Sequence, residues 1–125
     1  MSFPYINIKA TNITLTPELT HLLDHKFTPL ERHLDGKVEL RCEIELERVT
    51  DHHHSGRIFR VEINLSQGGV LFRAEATEES IEEAIDVVRS ELKRELEHAH
   101  GKKQTLWKRG RQAIKTMLRM DTSED

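Results

Sequence analysis

Hydrophobic and polar residues alternate along four short stretches of the chain and recur every three or four residues along two longer ones. Ile6, Ile8 and Ala10 alternate with Asn7, Lys9 and Thr11, which predicts a short half-buried strand over 5–11. Between Lys37 and Val49, Val38, Leu40, Cys42, Ile44 and Leu46 face one way and Glu39, Arg41, Glu43, Glu45 and Glu47 the other. A third strand sets Phe59, Val61, Ile63 and Leu65 against Arg60, Glu62 and Asn64. Val70, Phe72, Ala74 and Ala76 form a fourth. Gln67-Gly68-Gly69 separates these last two, and glycine supplies the positive φ that a tight hairpin needs.

The helical period appears first after Thr16, a hydroxyl N-cap followed by Pro17 at a position where its missing N–H costs nothing. Leu19, Leu23, Phe27, Leu30 and Leu34 follow at helical spacing. Pro29 interrupts them, so a kink or break is expected near Thr28, with Asp35-Gly36 closing the segment. A longer helix is expected over 77–103, where Ile81, Ala84, Ile85, Val88, Leu92, Leu96 and Ala99 share one face. Thr77 is its expected cap, Glu78 and Glu79 suit the positive end of its dipole, and Gly101 is its expected stop. The order β-α-β-β-β-α, with one apolar face per strand, predicts an α+β two-layer sandwich: a four-stranded sheet with two helices on one face. That domain takes residues 1–103 and leaves 104–125 as a basic C-terminal extension with an acidic end.

A chain of 125 residues has room for one core, and no apolar run approaches the roughly 20 residues needed to span a bilayer. The N-terminus lacks the layout of a secretory signal, and the lone Cys42 excludes an intramolecular disulfide, so a soluble cytoplasmic protein is expected. The net charge of -3 hides an asymmetry. Ten Lys/Arg stand against three Glu from Arg89 to Arg119, whereas residues 1–88 carry nine Lys/Arg against sixteen Asp/Glu. A basic last third on an acidic body points to a polyanion met at one surface.

Within the extension, Lys108, Arg111, Lys115 and Arg119 form one stripe if the segment is helical, with Arg109 beside them. Three readings are open: a solvated tail, a segment that orders on RNA with Trp107 stacking on a base, or a membrane-surface helix. The loop containing Asp51 and His52-His53-His54 invites a metal reading. Adjacent loop residues point in different directions, however, and no Cys/His or His-Glu-x-x-His spacing supplies further ligands. A plain polar loop and a pH-sensitive RNA contact are the alternatives. Cys42 falls on an apolar strand face and reads as a small core residue, and Gly68-Gly69 lacks the Lys-Ser/Thr of a phosphate loop. Neither an enzyme nor a metal or cofactor protein is expected.

The run from Ile6 to about Lys103 resembles the ribosome hibernation-promoting factor family, also called ribosome-associated translation inhibitors or ribosomal subunit interface proteins. The resemblance is carried by INIKATNITLTPEL, by ELERVT before the His-rich loop, by GRIFRVEINL and GGVLFRAEA, and by EESIEEAIDVVRSELKREL. It implies the β-α-β-β-β-α fold and an RNA-dependent dock on the small ribosomal subunit and intact ribosome, in the channel used by mRNA and tRNA. There the protein would block translation and keep idle ribosomes intact, with no small-molecule substrate and no membrane. Two departures stand out. Glu79-Ser80-Ile81 replaces an Asp-Met-Tyr-like helix entry, and Glu91, Glu95 and His98 stand where the family commonly has Lys, Gln and Lys. The expected basic ridge is therefore Arg94, His98, Lys102 and Lys103, with Arg89 and Lys93 nearby. Lys26 and Arg32 match basic positions of the family's first helix, and Lys9 lies on the exposed side of the first strand. The basic tail is expected to make up the lost charge. The chain looks like a short form, a monomer off the ribosome, without the second domain that pairs ribosomes in long members. A generic double-stranded RNA-binding module is the alternative, but its last helix would open Lys-rich, where this one opens EESIEE.

Overall fold

The computed structural model of the protein describes residues 6–49 and 56–101. Strand β1 (Ile6–Thr11) leads into helix α1 (Pro17–Phe27) and a 3-10 segment (Thr28–His33). Strands β2 (Leu40–Arg48), β3 (Phe59–Gln67) and β4 (Val70–Glu78) follow, and a helix, α2, is described over 81–101. The sheet runs β1-β2-β3-β4, with β1 parallel to β2 and the other pairs antiparallel. A parallel pair needs a long crossover, and α1 supplies it.

Alternation decides which face is covered. Cys42, Ile44 and Leu46 of β2, Val61, Ile63 and Leu65 of β3, and Phe72, Ala74 and Ala76 of β4 are buried. They form one cluster with Leu19, Leu23, Phe27 and Leu30, and with Ala84, Ile85, Val88, Leu92 and Leu96 of α2. Each large side chain so buried contributes about 1.5–3 kcal/mol, which holds both helices on one side of the sheet. The expected two-layer sandwich is the fold observed.

Local signals explain most of the boundaries. The Thr16 hydroxyl accepts from the Leu19 N–H at 3.2 Å, capping α1. Thr28 donates its hydroxyl to the Asp24 carbonyl at 2.6 Å, and around Pro29 the chain tightens into the 3-10 turns. Gly68 and Gly69 have φ of +57° and +85° between the paired Gln67 and Val70, the two positive φ values of a type I′ hairpin.

Two expectations are corrected. Strand β2 begins at Leu40 rather than Lys37, because the Asp35 carboxylate accepts from the Lys37 N–H at 2.9 Å and bends the chain; Val38 is exposed. Helix α2 begins at residue 81, not 77. Thr77 and Glu78 are paired with Arg60 and Phe59 in the sheet, so the cap passes to Ser80, whose Oγ accepts from the Glu83 N–H at 3.1 Å. Gly101 is still helical. The His52–His54 loop, the boundary at 103/104 and the extension lie outside the described residues.

Candidate nucleic-acid interface

The end of α1 and the 3-10 turns run along one flank of α2. Arg89 Nε donates to the Lys26 carbonyl oxygen at 2.9 Å, satisfying an acceptor that the end of α1 leaves open. The Lys26 ammonium lies 2.9 Å from Asp86, and the Lys93 ammonium 3.9 Å from Glu97. His33 Nε2 is 3.8 Å from the same Glu97, and Arg32 donates from Nε to His33 at 3.3 Å. Lys26, Arg32, Arg89 and Lys93 therefore gather along one seam, against the carboxylates of Asp86 and Glu97.

The other expected ligands lie elsewhere. An α-helix turns about 100° per residue, so Arg94 sits about 100° round from Lys93, and His98 about 180° from Arg89. Both are exposed, Arg94 toward the outer side of the helix and His98 on the flank away from the seam. The expected ridge residues Arg94 and His98 and the nearby Arg89 and Lys93 thus occupy two neighbouring strips of α2. Lys9 is farther removed: it is exposed opposite Glu45 on the sheet face that the helices do not cover, between Ile8 and Ala10. Lys102, Lys103, Lys108, Arg109, Arg111 and Lys115 lie outside the described residues.

That open sheet face holds a network that sequence reading missed. Arg60 lies 3.6 Å from Glu45, 3.2 Å from Glu47 and 2.9 Å from Glu75, and also pairs with Glu62. Arg73 reaches Glu62 at 3.3 Å and Glu75 at 3.2 Å. The bond from Asn64, then the charges of Arg60 and Arg73, hold the Glu62 carboxyl below its ordinary range. Hydrogen bonding from Arg60 does the same for Glu75. The guanidinium of Arg60 is held still more firmly protonated than usual, chiefly by Glu75. In sequence the outward positions of these strands are rich in acids, with Arg41 and Arg60 among them. In the sheet, Arg60 and Arg73 pair with those acids, and only the registers of three strands reveal it.

Burial, and secondarily Glu43, push the Cys42 thiol up to about 12, which leaves it protonated and inert. Among the described residues no group of three or more His, Cys, Asp or Glu is placed to hold a metal ion. No helix among them is long and apolar enough to cross a membrane.

Comparison with known proteins extends this picture. The ribosome hibernation promotion factor of Bacillus subtilis (strain 168) is 28% identical over 90 residues, covering 72% of this chain and 45% of that protein. The chain thus spans less than half of that relative's length. The N-terminal domain of Thermus thermophilus Protein Y superposes with a TM-score of 0.62 at 22% identity, over 75% of this chain and 97% of that one. A ribosomal subunit interface protein from Coxiella burnetii gives 0.61 at 14% identity, over 78% and 98%. At such identities the structural likeness is one of fold. The family model described as sigma 54 modulation protein / S30EA ribosomal protein matches residues 6–104, through every strand and helix described above. The chain belongs to the sigma 54 modulation protein / S30EA ribosomal protein family.

Proposed function

We propose that the chain is a ribosome-binding translation inhibitor, a hibernation factor that docks on small-subunit ribosomal RNA in the mRNA and tRNA channel and stabilises idle ribosomes. Family membership and the name of the Bacillus relative support the ribosome as partner. The observation that carries the RNA contact is the seam, where Lys26, Arg32, Arg89 and Lys93 converge from elements far apart in sequence.

Their internal partners do not use these cations up. Lys26 and Asp86 are about a third and a half exposed, and such surface pairs contribute only about 0–1 kcal/mol, so a phosphate can replace the carboxylate. Arg89 uses Nε for the Lys26 carbonyl, and a guanidinium carries further N–H donors for a phosphate. The bond fixes where that side chain starts. Phosphate contacts of this kind place a protein on RNA without reading its sequence. Arg94 and His98 supply a second strip of contacts, and Lys102 and Lys103 add further positive charge. The extension adds Lys108, Arg109, Arg111 and Lys115. Lys9 would serve only if RNA also reached the open sheet face.

Co-sedimentation with separated subunits, intact ribosomes and free duplex RNA across a salt series tests the proposal. Stoichiometric, salt-sensitive binding to the small subunit and the intact ribosome, with little on duplex RNA, is the expected result. Equal binding to every RNA would point instead to a generic double-stranded RNA module.

A further inference from the structure

Strand β4 ends the sheet: it pairs with β3 and, among the described residues, with no other strand. Gln67 and Val70 flank the two-residue turn and form the hydrogen-bonded pair that closes it. The antiparallel alternation then aims the peptide groups of Phe72, Ala74 and Ala76 at β3, and those of Leu71, Arg73, Glu75 and Thr77 away from the sheet. The same four side chains lie on the open face. Leu71 is 63% exposed there, and Val70, at the start of the strand, is 57% exposed. A nine-residue edge with apolar surface is a template for another strand.

The sequence of β4 says which strand fits. Laid antiparallel on a second copy of itself, about a two-fold axis at Ala74, β4 pairs along its whole length. Arg73 then stands opposite Glu75 of the second copy, and Glu75 opposite its Arg73. Leu71 covers Thr77 of the second copy. The neighbouring registers that keep the same hydrogen-bonding phase set Arg73 on Arg73 or Glu75 on Glu75, and like charges directly opposite are destabilising. Arg73 already lies 3.2 Å from its own Glu75, and at 56% side-chain exposure it can turn outward at little cost.

We propose that β4 is a self-association edge, through which two copies of this chain join their sheets antiparallel at Leu71, Arg73, Glu75 and Thr77, centred on Ala74. The contact lies on the sheet edge, separate from the helical seam, and does not depend on what the seam binds.

Sedimentation equilibrium of the full chain over a wide concentration range, with amide exchange followed residue by residue, tests this. The mass should rise from monomer to dimer. The amides of Leu71, Arg73, Glu75 and Thr77 should slow as the dimer forms, while those of Phe72, Ala74 and Ala76, already bonded to β3, stay as they were. Arg73→Glu and Glu75→Arg should each weaken dimerisation at least about tenfold, and the double variant should recover it by exchanging the charges. A monomer at every concentration would overturn the proposal. So would a dimer that leaves the four edge amides unprotected, or a double variant no better than the singles. If a single variant fails to fold, the exchange pattern of the unmodified protein decides.

Discussion

Arg89 Nε donates to the main-chain carbonyl of Lys26 across 2.9 Å, joining the middle of α2 to the end of α1 over 63 positions of sequence. Beside it the Lys26 ammonium reaches Asp86, so backbone and side chain of one residue are both held by α2. The seam is thus a structural joint as well as a basic surface. Arg89→Ala should lower stability by about 1 kcal/mol, seen as a lower urea midpoint with an unchanged slope. Arg89→Lys should recover only part, because an ammonium lacks the planar fork.

On the open sheet face, Arg60 sets a pH dependence. Glu62 and Glu75 have depressed carboxyl pKa values in the folded protein. Their contribution to stability is therefore present above the ordinary glutamate value and lost as pH falls through the lower folded values, below roughly pH 4. Arg60→Leu should move both titrations upward in carboxyl-detected NMR and shift the acid-unfolding midpoint to higher pH. An unchanged midpoint would remove Arg60 as the organiser of that face.

The start of α2 offers a cleaner substitution. Ser80→Ala removes the oxygen that accepts from the Glu83 N–H and should cost about 1 kcal/mol. Thr77→Val, in the paired end of β4, should stay within about 0.5 kcal/mol by thermal melting. The reverse ranking would restore Thr77 as the cap.

Cys42 should report on unfolding. Its thiol is buried and pushed up to about 12, so alkylation at pH 8 should run orders of magnitude slower than for a free thiol. It should accelerate in step with loss of structure under urea. Rapid modification of the native protein would contradict the core assignment of β2.

These cases show what the sequence could and could not convey. The period-two runs of β2 and β3 and the heptad-like run Ile81–Leu96 fixed faces, because burial acts on each residue locally. Gly68 and Gly69 marked their hairpin because few other residues adopt two successive positive φ values. Thr77 and Ser80 are both good caps, and only the pairing of Thr77 with Arg60 decided between them. Which basic strip of α2 borders the first helix was hidden for a similar reason. Arg89 and His98 look close in the chain, yet nine residues carry a helix through about two and a half turns and so to opposite sides, and no local pattern reveals which flank α1 occupies. The Arg60 network needs partners from β2, β3 and β4 in register, information spread over three strands.

The most direct test of the account contrasts the helical seam with the open sheet face. Affinity for the small ribosomal subunit would be measured against salt for the unmodified chain, for Arg32→Glu with Lys93→Glu, and for Lys9→Glu with Arg41→Glu, each checked for its thermal midpoint. The seam pair should weaken binding and flatten the salt dependence by roughly one unit or less per lost contact, while the sheet pair should change neither. Loss of binding from the sheet pair, with the seam pair unaffected, would place the RNA on the wrong side of the molecule and contradict the account.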